Sequence, residues 1–582
     1  MTLINNSTQT PIISIRNLTT AFATREGDFN AVDDVSLDLH AGKTLCLVGE
    51  SGSGKSVLSR SLLRIEQPGL IRKGEIILHP SQNEARRTRP GAIDLAKLDV
   101  KGKTIRDIRG RDIAMIFQEP MSSLSPVHRI GSQIIESILL HEKISKADAR
   151  DKVIDLLKQV EIASPEVAID KYPFEFSGGM RQRAMIALAL ACNPEILVAD
   201  EPTTALDVTI QAEILDLLKD LQKRHQMAML FITHDMGVVA QIADQVAVMR
   251  HGKVIEENDV FTLFREPQHS YTKTLLKAAQ TSDTPSQRRT EMRARRPIGQ
   301  PILRAVDLGK KFPLSSKGVF KKEIKWLHAV KNVSFDLHAG ENIGIVGESG
   351  SGKTTLARCV QRILSAQSGQ ILLSDRNGKE TDIVGLDDKA LVPHWRDMRM
   401  IFQDPFASLN PRMTISQIIA EPLLLSGMTS AVQRKERVEE LLDLVGLPQS
   451  AGNRYPHAFS GGQRQRVSIA RAIAPKPRII IADEATSALD VSIRSRVMDL
   501  LLDLQEQLDL SYLFISHDVG LVRYFCDRVL VMYKGEVVES GETEQICTDP
   551  QHRYTQSLLS AVPVADPTRR DTTTRFRYHA PT

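Results

Sequence analysis

Two stretches of this 582-residue chain, GESGSGKS at 49–56 and GESGSGKT at 347–354, repeat one glycine-rich pattern. Each is followed by the same short motifs in the same order. Lys55 and Lys353 lie 298 positions apart, and Gln118 and Gln403 lie 285 apart. From Ser177/Ser460 through Asp200/Asp483 and His234/His517 the offset holds at 283, and PQHSYTKTLL and PQHRYTQSLL keep it further on. Such a gapless register is a tandem duplication, so the chain must fold as two copies of one unit. Most of the length difference falls before the glutamine, where the first copy carries the polar, basic stretch HPSQNEARRTRPGAID, a surface loop by composition.

Within each copy, short apolar runs alternate with longer helical patterns, which predicts an α/β fold with a mainly parallel sheet. The run at 44–48 leads into the first glycine loop, and Val57, Leu58, Leu62 and Ile65 then recur at helical spacing. The runs at 196–199 and 479–482 each end in an Asp-Glu pair, and those at 229–233 and 512–516 each end at a histidine. Chemistry at the carboxyl ends of parallel strands is the site geometry such a sheet provides.

Composition removes several other classes. A net charge of +4 over this length gives no bulk field for nucleic acid. The five cysteines are scattered without a close pair at ligand spacing and read as reduced thiols. No apolar run approaches the roughly 20 residues that span a bilayer. The chain therefore reads as cytosolic, with any membrane role exercised through a partner.

The glycine loops carry the first chemistry. Gly49, Glu50, Ser51, Gly52, Ser53, Gly54, Lys55 and Ser56 form one, and Gly347, Glu348, Ser349, Gly350, Ser351, Gly352, Lys353 and Thr354 the other. The glycines let backbone N–H groups turn inward on a phosphate, with the positive end of the following helix behind them. Lys55 and Lys353 place a cation on the β/γ oxygens, and Ser56 and Thr354 offer hydroxyls to Mg²⁺. Asp200 and Asp483 suit the same hard ion, and Glu201 and Glu484 are carboxylates that could polarise a water. Ser177, Gly178, Gly179 and Met180, like Ser460, Gly461, Gly462 and Gln463, open an apolar helix with a Ser N-cap and exposed N–H groups. This is a second phosphate-binding device per copy.

The whole train resembles the ATP-binding cassette family of ATPases, twice over. The resemblance implies two tandem P-loop cassettes, each a mainly parallel sheet with a helical signature subdomain. It also implies two composite ATP sites, each glycine loop being closed by the other copy's signature serine. By the same resemblance, Gln118 and Gln403 sense Mg²⁺ or the attacking water, His234 and His517 contact the γ-phosphate, and Asp207 and Asp490 couple the two sites. Phe22 and Phe312 are the expected adenine-stacking aromatics, with Phe29 a rival. Two departures from the family pattern, Phe176/Phe459 before Ser-Gly-Gly and Ala485 where Pro202 stands in the other copy, remove no chemical group.

The glycine loops, IFQEP/IFQDP followed by SL-x-P, and P-Q-H-x-Y-T-x-x-LL together resemble the ATPases of peptide, nickel and glutathione importers. That resemblance implies ATP and Mg²⁺ as cofactors and two membrane-spanning permease subunits with an extracytoplasmic solute-binding protein as partners. It implies a peripheral position on the cytoplasmic face of the inner membrane. A soluble twin-cassette ATPase acting on ribosomes or nucleic acid is the alternative; it would call for a long charged helical linker or a strong basic field. The expected layout is a first cassette at 1–280, a solvated Arg-rich linker at 281–301, a second cassette at 302–563, and a polar, poorly ordered tail at 564–582.

Overall fold

The computed structural model describes residues 10–24, 27–81, 90–119, 123–204, 206–281, 284–295, 298–314, 325–404, 406–486, 489, 491–570, 575, 576 and 578. The chain divides into two compact units: Met1–Leu206 with Ile210–Ala279 and Pro563–Thr573, and Asp207–Thr209 with Gln280–Val562 and Thr574–Thr582.

The first unit contains β1 (Ile13–Thr24), β2 (Gly27–Leu39), β3 (Thr44–Val48), β4 (Leu70–Leu78), β5 (Ile93–Asp94), β6 (Ile113–Ile116), β7 (Ile196–Asp200), β8 (Ala228–Thr233), β9 (Gln245–Arg250) and β10 (Lys253–Asp259). They form an antiparallel sheet ordered β2-β1-β4-β5 and a six-stranded sheet ordered β10-β9-β3-β8-β7-β6. In the larger sheet β9, β3, β8, β7 and β6 run parallel, and β10 closes the edge antiparallel to β9.

The parallel strands are apolar through their middles because both faces are covered. Leu45, Leu47, Val198 and Leu230 join a core shared with β1 and β2. Their neighbours Cys46, Val48, Leu197 and Phe231 point to the other face and pack with helical residues such as Ile134, Val153 and Ile186. The period of two in side-chain direction splits each strand between two cores.

The second unit repeats this plan with β11 (Pro301–Leu314), β12 (Lys325–His338), β13 (Asn342–Val346), β14 (Ser368–Ser374), β15 (Glu380–Asp382), β16 (Met398–Ile401), β17 (Ile479–Asp483), β18 (Ser511–Ile515), β19 (Arg528–Tyr533) and β20 (Glu536–Glu542). The sheet orders are β12-β11-β14-β15 and β16-β17-β18-β13-β19-β20. In both units the strand that ends in histidine lies between the strand feeding the glycine loop and the strand ending in Asp-Glu. Parallel pairing then gathers three motifs at one sheet edge.

Three local expectations need correction. The stretch expected to be a solvated linker contains a helix, Gln287–Arg295, packed on the second unit. Met292 is buried in that unit's core, Arg289 donates to the carbonyls of Arg523 and Cys526, and Arg293 Nε donates to Asp527 Oδ1 at 2.7 Å. Positions 289, 292 and 293 share one helical face, so Arg289 and Arg293 are partnered rather than solvated. The tail is also partly packed. Ala565 and Pro567 are buried, and Arg570 donates to the Ala243 carbonyl at 2.9 Å within the first unit. In the first copy's insertion, Ile93 and Asp94 pair with Leu78 and Ile77 as a short strand, while residues 82–89 lie outside the described set.

Candidate functional sites at the strand ends

The glycine loops lead into the helices Lys55–Leu62 and Lys353–Val360, whose N-caps, Gly54 and Gly352, adopt φ 103° and 107°. A Cβ at either position would fall 2.1 Å from a backbone carbonyl oxygen, Ala31 O or Ala329 O. Only glycine fits there. Lys55 Nζ donates to Gly49 O at 2.7 Å and Glu50 O at 2.8 Å; Lys353 Nζ donates to Gly347 O at 2.7 Å and Glu348 O at 2.9 Å. Each ammonium is thereby held within its own loop. Burial lowers the pKa of Lys353, opposed by the carboxylates of Asp207, Glu484, Asp483 and Glu348.

The hydroxyl of the next residue meets the buried aspartate at the end of the Asp-Glu strand. Ser56 Oγ donates to Asp200 Oδ1 at 3.0 Å, and Thr354 Oγ1 to Asp483 Oδ1 at 3.0 Å. Burial raises the pKa of both aspartates, and the hydroxyl donors pull it partly back. A hydroxyl and a carboxylate side by side are the donor chemistry of a hard cation such as Mg²⁺, which keeps much of its shell for water and phosphate. Among the described residues no group of three or more His, Cys, Asp or Glu side chains is arranged to hold a metal ion by itself.

Glu201 and Glu484 follow these aspartates in the left-handed backbone region, both at φ 47°. Non-glycine residues take that conformation at a cost, and it recurs where a side chain must be aimed. Their N–H groups donate to Ile232 O at 3.1 Å and Ile515 O at 3.0 Å, which ties each turn to the neighbouring strand.

Gln118 Nε2 donates to Glu201 Oε2 at 2.9 Å, Thr204 Oγ1 donates to the same oxygen at 2.9 Å, and His234 Nδ1 lies 3.4 Å from Oε1. In the second unit Gln403 Nε2 donates to Glu484 Oε2 at 2.7 Å, and His517 Nδ1 lies 3.5 Å from that oxygen. Burial alone would raise the Glu201 carboxyl, but His234, Thr204 and Lys55 outweigh it and bring its pKa to about 2. Glu484 is lowered in the same way by His517, Lys353 and Gln403 against its burial. Both glutamates are therefore ionised at neutral pH. Each can accept a hydrogen bond from a water and orient it.

Ser177 caps the helix Gly178–Ala189 by accepting from Met180 N at 3.3 Å. Ser460 accepts from Gln463 N at 3.4 Å, and Gln463 Oε1 accepts from Ser460 N at 3.1 Å, completing a capping box on Gly461–Ile473. Phe176 and Phe459, ahead of these caps, are buried and belong to the cores.

Phe22 and Phe312 are half-buried on the antiparallel sheets. Phe22 pairs across strands with the exposed Phe29, and Phe312 with Leu327. Trp326 is also exposed but pairs with Pro313, so it stands on the opposite sheet face from Phe312. Asp207, grouped with the second unit, accepts from Ser349 N at 2.6 Å, whereas Asp490 lies outside the described residues.

Two tyrosines escaped sequence reasoning as site residues. Tyr271 Oη accepts from Glu50 N at 3.1 Å, and Tyr554 Oη from Glu348 N at 2.9 Å. The signal was present in the repeated P-Q-H-x-Y-T, but nothing local in it points to a glycine loop more than two hundred residues earlier.

The family described as ABC transporter matches residues 32–204 and 330–487 of this chain. The one described as oligopeptide/dipeptide transporter, C-terminal region, matches 255–313 and 538–581. The glutathione import ATP-binding protein GsiA of Salmonella choleraesuis (strain SC-B67) is 46% identical over 96% of this chain and 90% of its own length. Its counterpart in Escherichia coli (strain K12) is 45% identical over the same shares. Among solved structures, a dimeric ATP-binding cassette in a post-hydrolysis state, bound to ADP and Pi, is 30% identical over 41% of this chain and 98% of its own, with a TM-score of 0.36. With the glycine loop, Asp-Glu pair, glutamine and histidine assembled at one sheet edge in each unit, the chain belongs to the ABC transporter family, as an ATP-hydrolysing member that carries two cassettes in one polypeptide.

Proposed function

We propose that this protein is the ATPase subunit of an importer for peptides or peptide-like solutes, of the glutathione or di- and oligopeptide class. The observation that carries this is the 46% identity to a glutathione import ATP-binding protein across 96% of the chain, including the C-terminal region matched in both copies. Its partners would be two membrane-spanning permease subunits and an extracytoplasmic solute-binding protein, with the chain held at the cytoplasmic face of the inner membrane. No described helix is long and apolar enough to cross a membrane, so attachment through partners fits.

In each copy the lysine and the loop N–H groups would bind the triphosphate. Ser56, Asp200 and Gln118, or Thr354, Asp483 and Gln403, would hold Mg²⁺, which supplies charge neutralisation of the phosphates when bound. Glu201 and Glu484, ionised and clamped by glutamine and histidine, would orient the attacking water. Phe22 and Phe312 remain the proposed adenine platforms. That each copy's signature serine serves the other copy's nucleotide rests on the family resemblance.

A cavity of about 350 Å³ in the second unit would be the docking place for a permease segment. Its walls include Trp395, Phe402 and Leu425, with Arg399, Arg471 and Glu421 as the charged groups. The first copy has Ala114 and Leu188 where the second has Arg399 and Arg471, so the two cassettes would present different faces to two different permeases.

The test is reconstitution. Co-expressed with its two permeases and binding protein in proteoliposomes, the chain should drive ATP-dependent uptake of labelled glutathione or a short peptide, and Glu484→Gln should stop it. Uptake that is absent for the whole peptide class, with ATP hydrolysis intact, would overturn the solute assignment.

A further inference from the structure

The repeated P-Q-H-x-Y-T segment is the longest shared motif that the catalytic reading leaves unused. In the structure it forms a relay of hydrogen bonds, built the same way in both units. In the first, Glu256 at the middle of β10 accepts from the N–H groups of Gln268 at 2.7 Å and His269 at 2.9 Å. The His269 ring accepts from Tyr271 N at 3.1 Å, and Tyr271 Oη then accepts from Glu50 N, the second residue of the glycine loop. In the second unit, Glu539 on β20 accepts from Gln551 N at 2.7 Å and His552 N at 3.1 Å. His552 Nδ1 accepts from Tyr554 N at 3.1 Å, and Tyr554 Oη from Glu348 N. Both tyrosines are buried, at 7% and 1% exposure, so their hydroxyls have little competition from solvent.

We propose that Tyr271 and Tyr554 are positioning residues for the glycine loops: the segment after β10 and after β20 is a bracket that fixes the loop backbone in its phosphate-binding form. The assignment rests on the reading of these loops as the phosphate sites. The tyrosine hydroxyl fixes the N–H of Glu50 or Glu348 at the entry of the turn, the lysine ammonium draws the far end back onto the entry carbonyls, and the helix N-cap holds the exit, so the intervening N–H groups stay aimed. Such preorganisation lowers the cost of closing the loop on its ligand.

The two brackets are backed differently. The Arg250 guanidinium lies 4.7 Å over the Tyr271 ring. The equivalent position holds Tyr533, whose ring is 4.4 Å from Tyr554, and Tyr578 near the chain end stands edge-on to both. Cation–π contact serves one and an aromatic cluster the other.

The test uses the full chain with only one competent loop. In a Lys55→Ala background, Tyr554→Phe keeps the ring and removes the hydroxyl. Loss of one hydrogen bond of ordinary strength predicts about three- to tenfold weaker binding of a trinitrophenyl-ATP probe and a matching rise in KM, with kcat changed less than twofold. Hydrogen exchange should accelerate in residues 347–354 and not in β17 or β18. Tyr271→Phe in a Lys353→Ala background should do the same for residues 49–56.

Unchanged probe affinity and unchanged loop exchange overturn the inference. Faster exchange throughout the unit with a lowered Tm also overturns it, since the hydroxyl would then be merely structural. Lys353→Ala alone separates the two levels of the argument. If it leaves probe binding at that copy intact, the phosphate-site reading fails; if it abolishes binding while Tyr554→Phe is silent, only the bracket fails.

Discussion

His517 Nδ1 lies 3.5 Å from Glu484 Oε2, and this pairing sets the protonation of both groups. The hydrogen bond and charge of Glu484 raise the His517 pKa above its usual 6.5 against the opposing effect of burial. A raised histidine contributes stability that is complete below pH 6.5 and fades as pH rises through its folded pKa. The His517 ring resonance should therefore titrate above 6.5, and Glu484→Gln should shift that titration downward. A titration unmoved by Glu484→Gln would show that the pair does not exist in solution.

The carboxylates obey the opposite sign. Glu201, brought from 4.5 to about 2, contributes stability above pH 4.5 that is lost as pH falls from 4.5 towards 2. Its carbon resonance should still report the ionised form at pH 4, and His234→Ala should move its midpoint upward.

Replacing Glu201 or Glu484 by Gln retains shape and hydrogen bonding but removes the negative charge that can orient and polarise a water. Turnover in the double variant should fall by about 10²-fold or more, the usual weight of a positioned acid–base group, with nucleotide affinity kept. Steady-state phosphate release and probe binding measure the two separately. A double variant with parental turnover would remove these glutamates from the mechanism.

Arg293 from the Gln287–Arg295 helix pairs with Asp527, which also accepts from Asn342 N at 2.8 Å beside β13. In the first unit the equivalent Asp244 is served by Lys43, the residue just before β3, at 3.5 Å. The position equivalent to Lys43 is Glu341, so the second unit takes its cation from the connecting segment. Arg293→Ala should destabilise the second unit by about 2 kcal/mol, the scale of a hydrogen bond to a charged group. Hydrogen exchange should report that loss at β13 and β19, with β3 and β9 unchanged.

Arg399→Ala in the cavity of the second unit copies the residue found at the equivalent position of the first. Co-purification of permease subunits with the chain should weaken several-fold, while ATP hydrolysis by the isolated chain stays within about twofold, as expected for a half-buried cavity charge apart from the Asp-Glu, glutamine and histidine groups. Equal recovery of both permeases with Arg399→Ala would dissociate this cavity from docking.

The duplication, the parallel α/β sheet, the glycine loops and the Asp-Glu pairs at strand ends were legible in the chain itself, whereas Gln118, Gln403, His234 and His517 entered only through the family resemblance. The loops and acid pairs are specified by short-range rules: glycine where φ must be positive, a hydroxyl after lysine, paired acids after an apolar strand. Two identical trains also exclude coincidence at each position. Tertiary structure decided what depends on strand order and partner choice. Only the placement of β8 between β3 and β7, and of β18 between β13 and β17, brings histidine onto glutamate. Only packing turns the Arg-rich connecting stretch into a helix whose arginines find Asp527 and buried carbonyls, because composition records charge but not its partner. The Tyr271 and Tyr554 hydroxyls likewise meet residues 221 and 206 positions away. A hydrogen bond between distant segments leaves no periodicity in either.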